Sequence, residues 1–267
     1  MFRTKNIAAM GYSGIYPENT MLAYRKALEA GADGIEVDAH FTRDNVIVLC
    51  HDEHIDRTTN GTGKIRDFTY EDLSQYNASH SYMNPETAAV VQLFVSQPRQ
   101  SEKAEAIGFQ SIPKLEELLA LAKETGCSII VEMKGTAALY PGMGEAIAEL
   151  IMEHGLERQC SISSFSHHYI YELSQQYPDV SFAAVTTVDQ LYKPAEYLKQ
   201  LHAKQIHPYS SAITEDMVQA CHREGIEIIA WSVGETDEEA GVQKLIELGV
   251  DGIMTHYPPR MQGIGQA

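Results

Sequence analysis

The stretch Gly34-Ile35-Glu36-Val37-Asp38-Ala39-His40-Phe41-Thr42-Arg43-Asp44-Asn45-Val46-Ile47-Val48-Leu49-Cys50-His51-Asp52 decides how the rest of the chain is read. Two carboxylates stand two residues apart in an apolar run, a tight turn follows, and a second apolar run ends in a histidine. A strand alternates faces, so Glu36 and Asp38 point the same way. The segment Thr42 to Asn45 is too short for a crossover between parallel strands, which takes about a dozen residues or more, so the two runs form an antiparallel hairpin. A turn centred on Arg43 and Asp44 pairs His51 with Glu36. A slip of two residues pairs it with Asp38, whereas a slip of one sends it to the opposite face. Either of the first two registers builds a cluster of two carboxylates and an imidazole. Adjacent carboxylates repel unless a cation, a proton or hydrogen bonds compensate them. Hard oxygen ligands suit Mg²⁺ or Ca²⁺ better than Zn²⁺. The alternative, a solvated sheet face, fits poorly with Ile35, Val37 and the run Val46 to Leu49, which make both strands look buried.

Outward from this hairpin, short apolar runs alternate with helical patterns. Parallel strands are expected near Ile7-Met10, Gly34-Asp38, Ser128-Met133, Cys160-Ser164, Ser181-Val185, Lys204-His207, Ile226-Trp231 and Gly252-Thr255. Between them, Asn19-Ala30, Leu115-Glu124, Met143-His154, His168-Gln176, Glu215-Arg223 and Asp237-Leu248 carry helix formers with apolar positions three and four apart. Gly31, Gly126 and Gly249 supply the stop signals that lead from helix into strand. Eight parallel strands alternating with helices in about 250 residues predict a (β/α)₈ TIM barrel, with an open doubly wound sheet as the competing arrangement. The spacing breaks once, between His51 and Pro113. There Asn60-Gly61-Thr62-Gly63 marks a turn, Tyr70 to Leu73 a short helix and Asn84-Pro85 another turn. Tyr76, Tyr82, Leu93, Phe94, Val95 and Phe109 give this insertion enough apolar mass for a small lid or subdomain over the catalytic mouth.

Length and composition suit a soluble α/β protein: 267 residues, 44% hydrophobic and 21% charged. The formal net charge of -17 argues against nucleic acid or an anionic membrane surface as a partner. Met1 to Met10 holds no long apolar segment, and no window approaches a membrane span, so a cytoplasmic protein without a stable membrane anchor is expected. Cys50, Cys127, Cys160 and Cys221 are far apart and read as reduced, buried thiols.

The third parallel strand ends in Val131-Glu132-Met133-Lys134, with Glu132 and Lys134 on one face. In a barrel, Glu132 arrives beside Glu36 and Asp38 because neighbouring strands lie about 4.8 Å apart. Three carboxylates then surround one divalent cation, and Lys134 offers a point charge to an anionic group. Trp231, the single tryptophan, closes its strand either as a pocket wall or as a core residue. His256 and Tyr257 read as loop residues at the same mouth. Pro17-Glu18-Asn19-Thr20 reads as a helix start with Glu18 as an indirect support of the site, and His167-His168 reads as a helix start rather than a metal site.

Together these residues resemble the glycerophosphodiester phosphodiesterase family. The matching pieces are Pro17-Glu18-Asn19-Thr20, Gly31 to Asp38, His51-Asp52, Asp56 to Gly63, Ile112-Pro113, Glu132-Met133-Lys134, Ser164-Phe165, Trp231-Ser232-Val233 and Gly249 to Thr255, in order along nearly the whole chain. The resemblance implies a single barrel domain over residues 1–267 with an insertion over about 52–111. It also implies a metal held by Glu36, Asp38 and Glu132, His51 as one of two acid/base histidines, and Lys134 facing the phosphate of a small-molecule substrate. The family carries His-Arg-Gly on the first strand where this chain reads Ala9-Met10-Gly11, so the resemblance implies that one histidine and one arginine are replaced. Three functions follow: hydrolysis of a glycerophosphodiester, slowly or with a substitute proton donor such as His256, His207 or a lid residue; a repurposed barrel hydrolase acting on a non-phosphate substrate such as a glycoside; or phosphodiester binding without turnover. Nothing in the sequence sets an oligomeric state.

Overall fold

The computed structural model describes residues 3–83, 107–262 and 264. Along the chain the elements are β1 (Lys5–Ala9), α1 (Met21–Glu29), β2 (Gly34–Phe41), β3 (Ile47–Leu49), α2 (Tyr70–Leu73), α3 (His80–Met83) and α4 (Leu115–Thr125). They continue with β4 (Ser128–Met133), α5 (Met143–His154), β5 (Cys160–Ser164), α6 (His167–Gln176), β6 (Ser181–Val185) and α7 (Pro194–Gln200). The last five are β7 (Gln205–His207), α8 (Glu215–Arg223), β8 (Glu227–Ala230), α9 (Glu239–Leu248) and β9 (Gly252–Thr255). Strand neighbours run β1, β9, β8, β7, β6, β5, β4, β2, and β1 pairs with β2 as well. That last pairing closes eight parallel strands into a barrel and removes the open doubly wound sheet from consideration. Helix α7 is absent from the sequence reading; its Pro194 sits in the first turn, where a missing N–H costs nothing. Strand ends move by a few residues from expectation.

Gly126 and Gly249 cap α4 and α9 in the left-handed conformation, with φ of 75° and 85°. Only a residue without Cβ adopts that geometry cheaply, so each helix stops there and the chain turns directly into the next strand. The strands bury one set of side chains against the helices and the other inside the barrel. Ile7, Ala9, Ile130, Ile229 and Met254 pack together as the inner cluster. Ile35, Val37, Ile129 and Val131 belong to the strand–helix core with Leu115, Leu118 and Leu119. The inner residues therefore lead along each strand to the barrel mouth, where Ala9, Glu36 and Glu132 emerge. All four cysteines are free and buried. Among the described residues, no helix is long and apolar enough to cross a membrane.

The hairpin register differs from the expected one. Ala39 faces Leu49, His40 faces Val48 and Phe41 faces Ile47, which centres the turn on Asp44. The loop has three residues, closed by Thr42 N–H to Val46 O at 3.0 Å, with Asn45 at φ 59°. A three-residue loop ending in a left-handed residue is a standard hairpin closure, and it moves the pairing by one residue. On a continuous strand that slip would turn His51 away from the carboxylates. β3 ends at Leu49, however, and the last ladder bond runs from Cys50 N–H to Asp38 O at 2.9 Å. His51 reaches the mouth from the loop beyond, free of the strand's alternation.

Between β3 and α4, Ile55, Ile65, Leu73, Ala78 and Ile112 form a small apolar cluster with Val48 and Cys50, with Tyr76 packed against it. Phe109 is exposed instead. The Asn84-Pro85 turn and Leu93 to Val95 lie outside the described residues.

Candidate active site

β2 and β4 run in register with Asp38 opposite Glu132, and β1 sets Ala9 opposite Glu36. Parallel strands in register place these side chains on one face, so Glu36, Asp38 and Glu132 bring carboxylate oxygens within 4.8 Å of one another. Lys134, one residue beyond β4, lays Nζ 2.8 Å from Asp38 Oδ1 and 2.7 Å from Glu132 Oε1. Its ammonium thus faces the carboxylates, where the resemblance implied a phosphate contact. Asn19 donates to Asp38 Oδ2 at 2.8 Å and is itself held by the Tyr24 hydroxyl at 3.0 Å.

The charges do not cancel. Burial pushes Glu36 well above the usual carboxylate range, and Asp38 and Glu132 push it further. Burial likewise raises Glu132, against the pull of Lys134. Burial would also raise Asp38, but Lys134, His51 and Asn19 outweigh it and bring that carboxyl down to about 2. Two buried carboxylates and the half-buried Glu132 share one ammonium, and the donor set is entirely oxygen. A hard divalent cation fits that excess of negative oxygen ligands.

His51 is held from behind. Its Nδ1 lies 2.7 Å from Asp52 Oδ1, and Arg57 donates Nε–H to Asp52 Oδ2 at 2.6 Å. Arg57 also grips Glu18 with two bonds of 2.8 and 2.6 Å. A carboxylate on Nδ1 fixes the tautomer with Nε2 toward the cavity that His51 lines. Burial draws the His51 imidazole toward neutrality, yet Asp38 and Asp52 together raise its pKa. Glu18 supports the site as the sequence suggested, through Arg57 and Asp52, which it did not single out for this role. The signal was present in the Asp56-Arg57-Thr58-Thr59 match. His40, also missed, lies buried beneath, with Nδ1 2.9 Å from the Tyr140 hydroxyl, and burial lowers it to about 4.

These groups open onto a cavity of about 310 Å³. Its other wall is largely apolar: Ala9, Met10, Phe165, Val185, Trp231, Val233 and Met254. Trp231 lies in the wall rather than the core, spending Nε1–H on the carbonyls of Thr186 and His207 at 3.2 and 3.1 Å. Phe165 and Tyr209 meet its ring edge-on at 6.0 and 5.0 Å. His256 also lines this wall, with Nδ1 2.8 Å from Asp237 Oδ2. His207 contributes at the floor, where burial lowers it to about 3. His167 opens α6 as expected, bound to the Tyr197 hydroxyl and the Val185 carbonyl, each at 2.8 Å.

A family model described as glycerophosphoryl diester phosphodiesterase matches residues 10–260. A glycerophosphodiester phosphodiesterase of Bacillus altitudinis is 36% identical over 260 residues, 96% of each chain. One from Caldanaerobacter subterraneus subsp. tengcongensis is 31% identical, spanning 96% of this chain and 95% of that protein. Among solved structures, a phosphodiesterase of Oleispira antarctica in complex with the product sn-glycerol-3-phosphate superposes with a TM-score of 0.79. It covers 97% of this chain and 95% of that one at 23% identity, a likeness of fold.

Proposed function

Because the chain belongs to the glycerophosphoryl diester phosphodiesterase family, whose members hydrolyse phosphoric diesters, we propose a metal-dependent hydrolase that cleaves a glycerophosphodiester to glycerol phosphate and an alcohol. The observation that carries this reading is the cluster of Glu36, Asp38 and Glu132 beside Lys134 and His51 at one cavity. The carboxylates of Glu36, Asp38 and Glu132 would hold one divalent cation, Mg²⁺ or Ca²⁺, which would lower the pKa of an oxygen nucleophile and offset phosphate charge. His51 Nε2, braced through Asp52, takes the proton of the attacking hydroxyl. Lys134 adds positive charge for the phosphate oxygens, and Trp231 walls the side on which the alcohol sits. Ala9 and Met10 stand where the family pattern has histidine and arginine, so β1 offers neither a proton-transfer group nor a guanidinium. Residues 1–267 act as one domain, with an insertion at about 52–111, on a small-molecule substrate in the cytoplasm.

Initial rates of alcohol release from the choline ester of glycerol phosphate test this. Glu36→Gln and Glu132→Gln are each expected to lower the rate at least about a hundredfold, since each weakens the cation's hold. Folded variants with wild-type rates would show that the cluster is not the site of the chemistry.

A further inference from the structure

Cleavage of a diester moves two protons, one off the attacking hydroxyl and one onto the leaving alcohol, and His51 accounts for one of them. His256 is the first residue after β9. Continuing the register in which Ala8 faces Thr255 sets it beside Ala9. Ile7 and Met254, partners in that register, both pack inside the barrel, so Ala9 and His256, two residues on, turn to the same inner face. His256 accordingly lines the cavity. Between it and Glu36 in register stands only Ala9, whose side chain ends at Cβ.

The imidazole is braced as His51 is. Asp237, fully buried, accepts His256 Nδ1–H at 2.8 Å, the Thr255 hydroxyl at 2.7 Å and the His256 backbone N–H at 2.7 Å. Arg260 donates to the Asp237 carbonyl and holds the same loop. A carboxylate fixed in this way sets one tautomer and leaves Nε2 as the atom on the cavity side that exchanges a proton. The two braced histidines enter from different sides. His51 follows β3, beside the carboxylates of β2 and β4, whereas His256 follows β9, on the far side of Ala9 from Glu36, and both line the one cavity.

On the phosphodiesterase reading above, on which this inference rests, we propose that His256, positioned by Asp237, is the general acid that protonates the leaving alcohol. As the nucleophile's oxygen bonds to phosphorus, its proton passes to His51 Nε2. The bond from phosphorus to the alcohol oxygen breaks with its electron pair on that oxygen, which takes the proton from His256 Nε2. Water then opens the cyclic phosphate that the attacking glycerol hydroxyl has formed: the water oxygen bonds to phosphorus, the released glycerol oxygen takes the proton from His51 Nε2, and the proton lost by the water returns to His256.

The test compares two leaving groups. His256→Ala is expected to lower kcat for the choline ester of glycerol phosphate by about 10² to 10⁴. The p-nitrophenyl ester of glycerol phosphate, whose leaving group departs without a proton, should lose less than about tenfold. Added imidazole should restore turnover of the choline ester by His256→Ala, which guards against a variant that merely packs badly. Equal losses on both esters, or wild-type rates on the choline ester, would overturn the assignment while leaving the phosphodiesterase reading intact. Wild-type protein inert toward both esters with the cation supplied would overturn that reading and this inference with it.

Discussion

Asp52 shows what a single side chain contributes to the site. It touches no candidate cation ligand, yet it joins His51 to Arg57 and so to Glu18, three elements of the mouth in one run of charge-assisted bonds. Its hydrogen bond, together with the charges of Asp38 and Glu18, raises His51 against the pull of burial. Removing the charge of Asp52 while keeping the shape lowers the His51 pKa, so the neutral form that accepts a proton becomes populated at lower pH. Asp52→Asn is therefore expected to shift the acid limb of the kcat profile to lower pH and to cut the plateau about tenfold to a hundredfold. An unmoved limb would mean that Asp52 does not set His51. At this scale Glu36, Asp38 and Glu132 were legible because a strand's period of two is local and a neighbouring strand is close. The Glu18, Arg57 and Asp52 run was not, because its partners are up to 39 residues apart and meet only in the fold. His256 was legible only as one of several substitute proton donors, with His207 and the lid, because Asp237, which bonds its Nδ1, lies 19 residues away.

The hairpin is the element on which the alternation argument both worked and failed. Strand identity, pairing direction and the shared face of Glu36 and Asp38 followed from the sequence, while the register came out one residue away because turn type, not alternation, sets it. Asn45 is the residue that decides the turn, at φ 59°. A β-branched side chain is costly there, since Cβ crowds the backbone in the left-handed region by about 1–2 kcal/mol. Asn45→Val is expected to lower the free energy of unfolding in urea by that amount, and Asn45→Gly to leave it nearly unchanged. Equal stability of the two variants would mean that the three-residue turn does not fix the register. His51 reached the site despite the slip because β3 stops two residues short of it.

Across the whole molecule, the barrel was legible because each strand and helix carried its own periodicity and the glycine stops separated them. Helix α7 was not, since only Ala195 and Leu198 of its seven residues are buried and so short an apolar pattern gives no clear period. Closure has a functional consequence. It carries three carboxylates, two braced histidines and an apolar wall to one mouth, from strands far apart in the chain. On the proposed function, a divalent cation on Glu36, Asp38 and Glu132 enables cleavage of a glycerophosphodiester. Phosphorus NMR of the choline ester of glycerol phosphate, incubated with chelator-treated protein and then with Mg²⁺ or Ca²⁺ added back, tests it most directly. The expected result is a diester resonance that persists until cation is added and then converts to that of glycerol phosphate. Conversion at full rate without cation, or an unchanged diester at saturating levels of both cations, would contradict it.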